Sequence, residues 1–215
     1  MSDITDQIRA FIDLHPGMAL RPAGGSALNL VGTFRFSATS DKYPTITDTF
    51  QLRISVPSAF PRELPQVFEA GGRIPKGGDY HVNPDGSLCL GSRLRLLWKV
   101  SQAPTLLGYA ESCIVPYLFA ISHKLTYGGP LPFGELAHGL PGELSDCAEI
   151  FRVKSAHQAE TVIRYLGIKK RRANKLACPC QCGLRLGKCR FNWRLREFRN
   201  MASRSWYRSL LARTS

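Results

Sequence analysis

Tyr80-His81-Val82-Asn83-Pro84-Asp85-Gly86-Ser87-Leu88-Cys89-Leu90-Gly91 places a thiol between two leucines, just after an Asp-Gly pair. A cysteine chosen blind is most often an inert small hydrophobe in a core. The neighbours here argue otherwise. Leu88 and Leu90 are apolar anchors on either side of Cys89, Asp85-Gly86 supplies a tight turn, and His81 and Asn83 are close enough in sequence to fold back toward the sulfur. The stretch predicts a covalent-catalysis site at Cys89.

Upstream, Val56-Pro57-Ser58-Ala59-Phe60-Pro61-Arg62-Glu63-Leu64-Pro65-Gln66-Val67 is punctuated by prolines. The two stretches together resemble the ubiquitin-conjugating (UBC) family. In that family a strand meander ends in a flap of the pattern P-x-x-F/Y-P-x-x-x-P-x-V/I, followed by H-P-N, a turn, and G-x-I/L-C-L carrying the catalytic cysteine. Each element stands here in order, and Trp98, nine residues past Cys89, is the counterpart of the family's downstream tryptophan, ahead of a helix expected to open near Pro104. The family's H-P-N reads His81-Val82-Asn83, and the interval from Asn83 to Cys89 is shorter than in the eukaryotic enzymes. Val82 removes a rigid proline, and the shortened interval makes the chain more similar to bacterial members of the superfamily.

Periodicity reads the chain as a helix, then a strand meander, then further helices. Ile4, Ile8, Phe11 and Ile12 recur at helical spacing, with Ser2 or Asp3 as cap and Pro16-Gly17 as stop. Leu28–Ala38 and Thr47–Val56 alternate apolar and polar residues as antiparallel strands, separated by a loop from Asp41 to Pro44, and a short strand is expected over Gln66–Glu69. Thr105–Ser122 is apolar enough for a buried helix, which Pro116 should bend or end. Helices are expected at Gly142–Arg152 and Ala156–Leu166, and Cys113 and Cys147 on such helices read as core residues. The predicted fold class is α+β: a UBC-like domain with an antiparallel β-meander flanked by helices, plus a small basic Cys-rich C-terminal appendage.

Charge sets the expected boundary. Residues 1–163 carry 14 Lys+Arg against 15 Asp+Glu, whereas residues 164–215 carry 15 against 1, so the whole net charge of +13 sits in the tail. The expected domains are residues 1–166, the conjugating domain, and residues 167–215, the basic tail. Hydrophobic residues make up 44% of the 215, enough for a core, and no apolar run is long enough for a membrane span. The beginning Met1-Ser2-Asp3-Ile4-Thr5-Asp6 is acidic where a secretory signal is basic, and an odd total of seven cysteines argues for reduced thiols, so the expected location is the cytoplasm, away from membranes.

The tail contains Cys178-Pro179-Cys180-Gln181-Cys182-Gly183-Leu184-Arg185-Leu186-Gly187-Lys188-Cys189-Arg190, which resembles the SEC-C zinc motif. Thiolates suit tetrahedral zinc, and so basic a segment is short of apolar surface, so metal would supply folding free energy. Arg190 takes the motif's last ligand place. Either Cys182 completes a four-thiolate structural zinc site with Cys178, Cys180 and Cys189, or the site has degenerated. Lys169-Lys170-Arg171-Arg172, with Trp193 and Trp206-Tyr207 among arginines, is adequate for single-stranded nucleic acid, and equally consistent with a solvated or protein-docking tail.

The UBC resemblance implies an acyl transferase. Cys89 would attack an activated protein C-terminus, hold it as a thioester and yield it to an amine. Asn83 matches the family asparagine, an oxyanion stabiliser or a loop support, and His81 matches the family's loop-organising histidine. The phrase Pro132-Phe133-Gly134-Glu135-Leu136-Ala137-His138-Gly139 is similar to the post-cysteine region of bacterial conjugating enzymes from antiphage operons, and makes His138 either a candidate proton acceptor or a structural loop histidine. The implied setting is CBASS antiviral defence. The acyl donor would be a cGAS-like nucleotidyltransferase or the C-terminus of a ubiquitin-like protein, activated elsewhere because the chain has no nucleotide-binding glycine loop. The competing readings are a non-catalytic UBC-like binding module and a nucleic-acid-binding adaptor acting through the basic tail.

Overall fold

Apolar residues at helical spacing bury Ile8 and Phe11 of helix α1 (Ile4–Leu14), and the chain leaves that helix at His15, whose ring stacks on Phe34 at 4.4 Å. A computed structural model describes residues 3–22, 27–132 and 139–212. They fall into two compact units, Met1–Gly91 with Lys99–Glu135, and Ser92–Trp98 with Leu136–Ser215.

The first unit is built on a four-stranded antiparallel meander in the order β1 (Met18–Arg21), β2 (Leu28–Ser40), β3 (Tyr43–Val56), β4 (Gln66–Glu69). Alternation decides its faces. Leu30, Phe34 and Phe36 of β2 lie opposite Ile54, Phe50 and Asp48 of β3, and all but the aspartate are buried. Asp48 thus sits on the inward face as the one charge of that row, and it is fully engaged. Arg73 forks onto it with N–O distances of 2.6 and 2.8 Å, and the Ser122 hydroxyl donates to it at 2.6 Å. The carboxylate therefore ties the sheet to helix α4 (Val115–Tyr127).

Strand β1, which the alternation pattern did not suggest, approaches β2 closely at Gly32. That residue has φ +146°, and a Cβ there would lie 2.1 Å from the Gly17 carbonyl oxygen. The hairpin between β2 and β3 is tighter than expected: only Asp41 and Lys42 lie outside the strands, and Pro44 belongs to β3. Register shifts between Ala38 and Ser40 leave Pro44 at an irregularity, where a missing amide breaks no ladder bond.

Leu106–Tyr127 is a single helical run with an internal adjustment: α3 (Leu106–Tyr109), a π turn over Ala110–Ile114, then α4. Pro116 has no amide to offer the Ser112 carbonyl, and in a regular α-helix its ring would crowd that carbonyl. The wider turn relieves the clash, with the Val115 amide reaching back to Ala110. The freed Ser112 carbonyl accepts from Lys99 Nζ at 2.8 Å. The expected bend at Pro116 is thus a π turn just before it, and the helix continues to Tyr127.

The second unit forms helices joined by loops, with no strand among its described residues. It contains α5 (Gly139–Phe151), α6 (Ala156–Leu166), the short α7 (Lys170–Ala173), α8 (Phe191–Met201) and α9 (Arg204–Ala212), with residues 93–98 from the start of α2 (Arg93–Gln102). Leu144, Cys147 and Phe151 of α5 and Val162, Ile163 and Leu166 of α6 share one core with Leu186, Phe191, Leu195, Phe198, Tyr207 and Leu210. The expected boundary at 166/167 is therefore a boundary of charge, and the core runs through it. Buried Asp146 accepts from Ser92 Oγ and from Arg95 Nε, the latter at 2.7 Å, which fixes the start of α2 to α5. Among the described residues no helix is long and apolar enough to cross a membrane.

Candidate thiol site and metal centre

The approach to Cys89 is shaped from α4. After β4 the chain is irregular until a 3₁₀ turn at Gly78–Tyr80. The Tyr117 hydroxyl donates to the Tyr80 carbonyl and Lys124 Nζ to the Asp79 carbonyl, each at 2.8 Å. Tyr117 and Lys124 are two turns apart and share a helix face. His81 then adopts a left-handed conformation, φ 51°, which reverses the chain. Its carbonyl accepts the Cys89 amide at 2.7 Å, and Val82 pairs with Leu88.

Five residues close this narrow loop. The Asn83 amide donates to the Ser87 carbonyl and the Gly86 amide to the Asn83 carbonyl, both at 2.8 Å, with Gly86 at φ 81°. Asp85 Oδ1 accepts the Ser87 amide at 2.9 Å and its hydroxyl at 2.6 Å, while Asn83 Nδ2 donates to Ser87 Oγ at 2.9 Å. The Leu88 amide bonds the Val67 carbonyl at 2.7 Å and so attaches the loop to β4. Cys89 is held half-buried at the open end of this hairpin. Burial, and secondarily the charge of Cys89, push the Tyr117 phenol well above its ordinary range.

The structure brings His81 and Cys89 together through the backbone, and it turns the Asn83 side chain to Ser87 within the loop. Trp98 packs against the core of the second unit. His138 lies outside the described residues. Cys113 and Cys147 are buried, as expected, and burial pushes the Cys147 thiol up to about 12, so it stays protonated at neutral pH. Tyr117 and Lys124 were missed by sequence reasoning, since their signal is a shared face on a helix remote in sequence from the loop they hold.

In the second unit the cysteines converge on a small hairpin. The Cys178 amide donates to the Leu184 carbonyl at 2.8 Å, the Leu186 amide to the Leu176 carbonyl at 2.9 Å, and Ala177 pairs with Arg185. Gln181 and Gly183, at φ 61° and 78°, turn the loop. The sulfurs of Cys178, Cys180, Cys182 and Cys189 all lie within 4.8 Å of one another, with 3.2 Å between Cys178 and Cys180, 3.7 Å between Cys180 and Cys189, and 3.6 Å between Cys182 and Cys189.

A tetrahedral zinc with bonds of ~2.3 Å requires sulfurs ~3.8 Å apart, so the four cysteines fit such an ion. Backbone amides face the same sulfurs: that of Phe191 donates to Cys189 Sγ at 3.4 Å, and that of Leu184 favours the Cys182 thiolate. Burial pushes the Cys178 thiol strongly upward. Arg190 is exposed and stands at the start of α8. Cys182 is part of the four-cysteine cluster.

No protein-family model, curated protein or solved structure matches this chain.

Proposed function

We propose that the first unit is a ubiquitin-conjugating-like acyl carrier in which Cys89 forms a thioester with a protein C-terminus. The Cys89 thiolate attacks the carbonyl carbon of a carboxyl group activated elsewhere, and the activating group leaves. An amine then attacks the same carbon, the C–S bond breaks, the thiolate departs and the amine nitrogen gives up a proton. The observation that best supports this reading is the hairpin from His81 to Cys89, closed by the 2.7 Å amide bond, which presents a half-buried thiol at its open end in the motif context of Leu88-Cys89-Leu90. His81 and Asn83 act on this reading as loop organisers, through the backbone and through Ser87 respectively.

The donor on this reading is a cGAS-like nucleotidyltransferase or a ubiquitin-like protein, in the bacterial cytoplasm, where the thiol stays reduced and where CBASS antiviral defence operates. The second unit would carry one structural zinc on Cys178, Cys180, Cys182 and Cys189. That ion supplies a rigid cross-link between the cysteine hairpin and the start of α8.

The test is incubation of the full chain with a donor whose C-terminus has been converted to a thioester. An adduct cleaved by thiols and hydroxylamine is expected with wild type, Cys113→Ala and Cys147→Ala, and not with Cys89→Ala. An adduct that persists in Cys89→Ala overturns the assignment.

A further inference from the structure

Helix α8 has two unlike faces. Phe191, Leu195 and Phe198 are buried, while Trp193, Arg196 and Asn200 project outward one turn apart. Trp193 is 81% exposed. A tryptophan buries more apolar area than almost any other side chain, so leaving one in water costs solubility without adding stability. The other tail aromatics are not available in this way: Tyr207 is buried with its hydroxyl on the Phe198 carbonyl at 2.6 Å, and Trp206 is half-buried against the same core.

Trp193 lines a cleft of about 540 Å³ together with Lys170, Asn192 and Arg196. That volume falls within the range of small-ligand sites and exceeds what one nucleotide needs. Next to Asn192, Arg199 donates from Nη1 to Asn192 Oδ1 at 3.1 Å, while its buried Nε and Nη2 have no partner among the described residues. Lys169, Arg171, Arg172, Arg190 and Arg194 are exposed on the same two segments, and Glu197 is the one acidic residue after position 163.

We propose that this cleft binds single-stranded nucleic acid, with a base stacked on the Trp193 indole and the adjoining phosphates held by Lys170 and Arg196. The chemistry selects among polyanions. An acidic peptide would satisfy the cations and leave the indole face in water. A duplex offers phosphates but keeps its bases in their own stack. A single strand supplies both a π face and a closely spaced anion, the combination that the cleft presents. The site is independent of Cys89 and of any acyl transfer.

Binding of the full chain to fluorescein-labelled single strands of about 20 nucleotides, as DNA and as RNA, is measured by anisotropy over a salt series. Both single strands are expected to bind more tightly than a duplex of equal length, and a preference between them assigns the sugar. Trp193→Ala should weaken binding about tenfold while Trp193→Phe retains most of it, since a ring suffices for stacking. Lys170→Ala with Arg196→Ala should flatten the log–log salt slope by about 1.4, or ~0.7 for each phosphate no longer neutralised. Since Trp193 is turned outward from the core, circular dichroism of Trp193→Ala should match wild type. Equal affinity for duplex, an unchanged affinity in Trp193→Ala, or displacement by polyglutamate as effective as by a single strand overturns the proposal in favour of charge alone.

Discussion

Asn83 Nδ2 donates to Ser87 Oγ at 2.9 Å across the base of the loop that precedes Cys89, and Asp85 Oδ1 holds the same hydroxyl from the other side at 2.6 Å. Ser87 is buried, so each of these bonds forms where water competes poorly for it.

Because the Asn83 amide is committed to the loop, Asn83→Ala and Ser87→Ala should behave alike. On the proposed acyl-transfer reading, both are expected to slow loading of Cys89 and release to an amine by similar factors, and to lower stability by about 1 kcal/mol. Single-turnover measurements of the two half-reactions check this. A loss confined to release, with stability unchanged, would assign Asn83 to the oxyanion instead.

Elemental analysis under reducing conditions should find about one zinc per chain. Cys182→Ser should lower the zinc content as Cys178→Ser and Cys189→Ser do, since the Cys182 sulfur lies 3.6 Å from that of Cys189. Chelation should reduce the protection of α8 amides in hydrogen exchange while leaving β2 and β3 unaffected, because the cluster adjoins Phe191 and the strands belong to the other unit.

Burial works against the Asp48 charge, but the hydrogen bonds of Arg73, Ser122 and Thr49 outweigh it and hold the carboxyl below its ordinary value of 3.8. The unfolded chain therefore binds the proton more tightly. The contribution is fully present above the unfolded value and is lost as pH falls through the lower folded one. Asp48→Asn should cost about 2 kcal/mol at neutral pH, and its denaturant midpoint should vary less than that of wild type between about pH 5 and pH 2.

Gly32→Ala should destabilise the first unit by at least ~2 kcal/mol, because the added methyl meets the Gly17 carbonyl and φ is unfavourable for an L side chain. Thermal unfolding followed in the far ultraviolet reads this directly. Gly72→Ala is the contrasting substitution: it bears backbone strain at φ +72° with none of the described residues within 4 Å of the new atom, so its smaller loss separates strain from collision.

Periodicity made β2, β3, α1 and α6 legible, since each buries one face by alternation or at helical spacing. Strand β1 escaped because only Met18 among its four residues is buried, so it has no alternation to read. Helices α8 and α9 escaped for a different reason. Phe191, Leu195 and Phe198 stand at helical spacing, but the arginines between them drew attention to charge, and the tail read as an appendage in need of a metal staple. The cysteine cluster was legible as four residues in twelve. Cys182 stood among those four, and the turn at Gln181 and Gly183 brings its sulfur to the others.

Arg93 Nη2 donates to the Leu210 carbonyl at 3.0 Å across 117 positions of sequence, and both residues belong to the second unit. During synthesis the meander and α4 can form once residue 127 has emerged, whereas the segment at 92–98 must wait for α9. The chain thus passes Cys89 out of the ribosome ahead of the partners of the segment that begins three residues later, at Ser92. Leu94, buried in the core of the second unit, stays unsheltered through that interval, so the order of translation bears on how this topology closes.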